Sequence, residues 1–293
     1  MLASVLFVPS APLLVPELTG PAAADTEPIR AAVISAATEL AVVTPHWIAI
    51  GVGDVGVLSS VGAGVTTAHD DMAAPDVSLP PSAGSVHARS VHARSVHARS
   101  GTFRAYGVDV AVSLDGPAAL DGTAASGFPA PDGPDGREAA PLRLPLSMLV
   151  AGWLRGQVGA GPVETVVVAP DATPADCARQ GAGIADRLQS TDDPVGVVVV
   201  GDGATALSAK APGGGLRQSS VALQERIDRA LATADVAALE SLDVTECAAG
   251  GVSGRAAWQV AAALGASYRA IRVWYADAPF GVGYDVVTWE PSR

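Results

Sequence analysis

Basic residues are scarce: Lys and Arg total 18 against 30 Asp and Glu, a formal net charge of -12. A surface that grips phosphates needs a basic footprint. Nucleic acid and anionic membrane surfaces are therefore poor partners for this chain. Aromatic residues are only 4% of the sequence, although hydrophobic residues reach 49%. The core must be built from Ala, Val, Leu and Ile. Only two cysteines occur, Cys177 and Cys247, far apart and in no metal-like spacing. The expectation is a pair of reduced, mostly buried thiols in a cytoplasmic protein. No apolar run approaches the roughly 20 residues that span a bilayer. The start of the chain lacks the basic region of a signal peptide, and its prolines interrupt the first apolar run early.

Short runs rich in β-branched residues are present, each bounded by turn signals. They are "SVLFVP" (Ser4–Pro9), "WIAIGVGD" (Trp47–Asp54), "TVVVAPD" (Thr165–Asp171) and "GVVVVGD" (Gly196–Asp202). Continuous Val/Ile runs without polar alternation predict strands buried on both faces, as in a parallel sheet. Helical patterns lie between them. Thr26 and Pro28 open one, with Ile29, Val33 and Leu40 on a face. Thr173 and Pro174 open another, with Cys177, Gly181, Ile184 and Leu188 as its stripe. Leu223, Ile227, Ala230 and Leu231 form a third, and Ser253 is the expected cap of a fourth running to about Gly265. Two strand-like runs flank Pro279 and Gly281 near the end, which predicts a hairpin.

The fold class expected is α/β, a single domain over 1–293 with a central, mostly parallel sheet flanked by helices, plus a C-terminal β-hairpin. Residues 55–142 read as loop-rich decoration, with three tandem copies of Val-His-Ala-Arg-Ser at 86–100. Within it, only "GTFRAYGVDVAVSL" reads as a strand pair.

Histidines offer little chemistry. His87, His92 and His97 recur with a period of five, which matches neither a helix face nor a strand face. His69 stands alone in a loop-like stretch. His46 precedes its strand, whereas ligands bind at the carboxyl ends of strands in open parallel sheets. "GVGDVG", Gly51–Gly56, formally matches a dinucleotide fingerprint, but that motif requires a helix to begin there. Three strands each end in aspartate: Asp54, Asp171 and Asp202. These could converge on a hard divalent cation, or they could be ordinary turn residues.

In order and spacing, four stretches resemble the class III extradiol ring-cleavage dioxygenases, specifically their B-type catalytic domain. They are "FVPSAPLLVPEL", "PHWIAIGVGD" followed by "GTFRAYGVDVAVSL", "VVVVGDGATALSAKAPGG", and "APFGVGYDVV". The resemblance implies one non-haem Fe(II) held by two histidines and a glutamate, with a further histidine as acid/base. It places the first ligand at Ser10 and the second at Val52-Gly53, with Asp54 next. The acid/base histidine falls at Thr205, and the glutamate near Gly250, or at Glu246 in a shifted register. Serine, glycine and threonine do not replace imidazoles at iron. The expectation is therefore a degenerate member: no catalytic residue, no Fe(II) or other cofactor, and no metal. Ser10, Gly53, Asp54, Asp202, Thr205 and Gly250 would line a vestigial pocket for a small molecule or protein partner. By analogy, a homo-oligomer is compatible with this reading. Two rivals remain. One is an enzyme of altered chemistry, dioxygenase-like or using a divalent metal at Asp54, Asp171 and Asp202. The other is a nucleotide-binding protein using Gly51–Gly56.

Overall fold

The computed structural model describes residues 1–20, 24–53, 99–115 and 143–292. Six strands form the main sheet: β1 (Leu2–Val8), β2 (Trp47–Val52), β5 (Val163–Val168), β6 (Val195–Val200), β7 (Tyr268–Asp277) and β8 (Tyr284–Pro291). Their order is β5-β2-β6-β1-β8-β7. The first four are mutually parallel, and β8 runs antiparallel to both β1 and β7. The Val/Ile runs are strands covered on both faces, which is why they lack polar alternation. The predicted hairpin is β7–β8, and it extends the main sheet.

Side chains alternate across the sheet. Leu6 and Val8 of β1 pack towards α2 (Glu27–Val43) and α3 (Leu146–Val158). Val5 and Phe7 pack on the other face, towards α4 (Pro174–Gln189), α5 (Gln218–Thr233) and α8 (Arg255–Ala262). Trp289 of β8 anchors that second layer. It is fully buried, its ring centroid lies 4.5 Å from that of Phe7, and its Nε1 donates to Leu231 O at 2.7 Å. Burying such side chains contributes about 1.5–3 kcal/mol each. The short helices α1 (Pro16–Thr19), α6 (Val236–Glu240) and α7 (Val244–Gly250) complete the connections. Among the described residues no helix is long and apolar enough to cross a membrane.

The expected helix faces are present. In α4 the buried residues are Cys177, Gly181, Ile184 and Leu188, and Thr173 with Asp176 forms a reciprocal capping box. Both cysteines are free and buried. Three details differ. Thr26 occupies the N-cap of α2, but its hydroxyl accepts from the Arg30 guanidinium instead of capping. The N-cap of α8 is Gly254, not Ser253, and the helix ends at Ala262. Finally, α3 is not predicted by the sequence pattern. Every residue from Ser147 to Arg155 is buried, so the helix shows no polar face and no amphipathic period.

The strand pair within 55–142 is present: β3 (Ser100–Thr102) pairs antiparallel with β4 (Ala111–Ser113). It is more than decoration, because the adjoining Phe103 and Leu114 are fully buried in the same core layer as α3. His69, His87, His92 and His97 lie outside the described residues.

Candidate functional site at the carboxyl edge of the sheet

The parallel strands β1, β6 and β2 end side by side at Val8, Val200 and Val52. This is the edge where open α/β sheets hold ligands. Gly201 N donates to Val8 O at 3.0 Å, closing the β1–β6 junction. Just beyond, the Ser10 amide donates to Asp202 Oδ1 at 2.7 Å. The backbone of Asp202 is held as well. Its N–H donates to Ser253 Oγ at 3.2 Å, and its carbonyl accepts from Gly254 N at 2.9 Å. Ser253 stands one residue before the N-cap of α8, and its hydroxyl serves this loop. The approach is close: a Cβ on Gly201 would collide with the Gly254 Cα.

Asp202 is half-buried as a residue, but its carboxyl is the enclosed part. Burial pushes its pKa up to about 7, while the Ser10 amide pulls in the opposite direction. No cation pairs with it among the described residues. Tyr284 sits nearby and is buried. Its phenol is raised first by burial, then by the charges of Asp202 and Tyr275.

Thr205 and Gly250 also come together, since Thr205 N donates to Gly250 O at 3.0 Å. The Thr205 side chain is enclosed by glycines. A Cβ on Gly213 would lie 2.6 Å from Thr205 Oγ1, and one on Gly251 would collide with the same hydroxyl. Glu246 points elsewhere, forming an exposed ion pair with Arg226 at 2.5 Å. Gly250, not Glu246, is the residue that meets the Thr205 loop.

Gly51 and Gly53 have a packing reason. A Cβ on Gly53 would lie 2.6 Å from Pro145 Cβ, and one on Gly51 would collide with Ser147 Cβ. The two glycines let the start of α3 rest on the end of β2, where Ser147 Oγ donates to Val52 O at 2.9 Å. Asp54 to Gly56 lie outside the described residues, as does the stretch after them where a nucleotide fingerprint would need its helix.

Asp171 occupies an exposed turn after β5. Strand β2 stands between β5 and β6, so Asp171 and Asp202 leave the sheet two strand spacings, about 10 Å, apart. The exposed His46 lies at the amino end of β2, where its carbonyl accepts from Gly196 N at 2.9 Å.

The described residues do not fit the iron centre implied by the resemblance. Ser10 offers a hydroxyl where an imidazole would be needed, Gly53 and Gly250 have no side chain, and Thr205 is packed between glycines. Among the described residues no group of three or more His, Cys, Asp or Glu comes together to hold a metal ion.

Sequence reasoning missed one part of the neighbourhood. Gln224, one turn from Ser220 and Asp228 on α5, reaches between Gly203 and Gly283 and accepts from Ala204 N at 2.7 Å. Polar residues at i, i+4 and i+8 beside the Leu223–Ile227–Leu231 stripe were the available signal.

No protein-family model matches the chain, and no curated protein matches it.

Proposed function

We propose that the chain is a non-catalytic member of the class III extradiol dioxygenase fold, working in the cytoplasm. It binds a small polar molecule at the carboxyl edge of its sheet. The observation that carries this reading is the 2.7 Å bond from the Ser10 amide to Asp202 Oδ1. At the position where the resemblance implies an imidazole ligand, the chain carries a serine, whose amide is bonded to a neighbouring carboxyl. What remains is a carboxyl that titrates near neutral pH. Such a group both donates and accepts, which suits a hydroxylated or phenolic ligand. Neither nucleic acid nor an anionic membrane is a partner in this reading, given the net charge of -12. Protocatechuate is the test probe. Calorimetric titration should show binding without oxygen consumption, and Asp202→Ala should weaken it at least about tenfold, the loss of one charge-assisted hydrogen bond. Cleavage of the probe, or equal affinity in the variant, would count against the proposal.

A second reading draws on the same carboxyl. A buried group with pKa near 7 at a strand end is a candidate general acid or base. An enzyme of altered chemistry would then use Asp202 for proton transfer. A bell-shaped rate profile lost in Asp202→Asn, found with any hydrolysable or tautomerisable substrate, would favour it.

A further inference from the structure

Behind the Asp202 loop lies a pair of carboxyls, Asp228 and Asp285. Asp285 on β8 is 5% exposed. Gln224 Nε2 donates to Asp228 Oδ1 at 2.5 Å and to Asp285 Oδ2 at 3.3 Å. Two oxygens bound by one nitrogen lie no more than about 6 Å apart, within the range where like charges shift each other. The remaining Asp285 oxygen, Oδ1, is buried without a hydrogen-bond partner.

Among the described residues no cation pairs with either carboxyl. Helix α5 presents Gln224 and Asp228, with the charge of Glu225 acting on Asp228. Strand β7 places Ala276 opposite Asp285, and the loop after β6 brings Gly203 and Ala204 to Gln224. Two ionised carboxylates, one with an unsatisfied buried oxygen, make a costly arrangement here. One proton on the pair relieves it, as in other carboxyl dyads.

We propose that Asp228 and Asp285 share one proton at neutral pH, and that this proton latches the loop from Gly201 to Ser208 onto α5 and β8.

The mechanical link is Gln224. Its amide nitrogen serves the two carboxyls, and its oxygen accepts from Ala204 N at 2.7 Å. The side chain has little freedom, because a Cβ on Gly203 or Gly283 would collide with it. The same loop is bonded to the β7–β8 turn by Gly203 N to Gly283 O and Gly283 N to Ala204 O, each 2.9 Å. Burial first, and then the Asp228 charge, push Asp285 up to about 8. Burial also raises Asp228. Below that range the pair carries one negative charge. Above it the proton passes to solvent, the second charge draws water in, and Gln224 loses its fixed position. The Ala204 anchor then loosens, and with it the loop that carries Asp202. The latch operates whether or not the Asp202 site binds a ligand.

The test uses the full chain between pH 6 and 9.5. Exchange of the Ala204 amide, corrected for its intrinsic rate, is followed beside a carbon-13 titration of the aspartate carboxyls. Ala204 protection should fall at least about tenfold as Asp285 titrates, while the Val198 amide in β6 keeps its protection. In Asp285→Asn the Ala204 protection should be flat with pH. In Asp228→Asn, which serves also if the first variant does not fold, the Asp285 midpoint should drop by about one pH unit with the loss of its like-charged neighbour. An Asp285 carboxyl titrating below pH 5, pH-independent Ala204 protection in the native chain, or an unmoved midpoint in Asp228→Asn would overturn the proposal.

Discussion

The backbone amide of Ser10 donates to Asp202 Oδ1 at 2.7 Å across 192 residues of sequence. The bond joins the turn after β1 to the turn after β6 and holds a carboxyl at the edge where a ligand would sit. Its consequences are open to measurement.

Asp202 gives stability an unusual pH slope. Its folded pKa of about 7 stands above the unfolded carboxyl value of about 3.9, so the folded state binds the proton more tightly. The contribution is full below about pH 4 and is lost as pH rises through 7. Denaturant midpoints should therefore fall between pH 5 and pH 8. Asp202→Asn keeps the Oδ1 acceptor but cannot ionise, so its midpoint should fall less. Asp285, also raised, supplies the slope that the variant retains. Identical slopes in the two proteins would refute this assignment.

Two glycines in α4 should respond with opposite signs. A Cβ on Gly181 would collide with the Val260 carbonyl, whereas Gly183 has nothing within 4 Å. Gly181→Ala should destabilise by about 1–3 kcal/mol through overpacking against α8. Gly183→Ala should stabilise by about 0.5–1 kcal/mol through helix propensity. Thermal or urea unfolding of both variants checks the close α4–α8 approach.

The capping box at the start of α4 is a local test. Thr173 Oγ1 accepts from Asp176 N at 3.1 Å, and Thr173 N donates back to the Asp176 carboxyl at 3.3 Å. Thr173→Ala should cost about 1 kcal/mol. No change in unfolding free energy would mean that the cap contributes nothing.

Glu246→Gln should leave stability within about 0.5 kcal/mol, because its ion pair with Arg226 is exposed. It should also leave metal content unchanged, since the side chain points away from Thr205. A loss of bound iron in this variant would restore the shifted register.

Much of the fold was legible because the central strands and the amphipathic helices obey simple periods. Four parallel strands read as unbroken apolar runs, and the α4 stripe falls at helical spacing. Helix α3 was hidden because it is buried almost all round, which erases the period. At the site, the strand-end positions of Ser10 and Asp202 were legible, since turn residues after β-runs mark the carboxyl edge. Their direct bond was not, because local sequence carries no record of which turns become neighbours. The Asp228–Gln224–Asp285 cluster was obscured for a related reason. Asp285 sits in an apolar strand, and its partners lie on a helix some sixty residues earlier.

The proposal to be tested is that this α/β chain carries none of the iron chemistry that its resemblance to the ring-cleavage dioxygenases implies. It is tested most directly by loading the purified protein with Fe(II) under anaerobic conditions, then measuring bound iron and protocatechuate cleavage on admitting oxygen. The expected result is iron far below one atom per chain and no ring-cleavage product. One iron per chain with turnover would contradict the account.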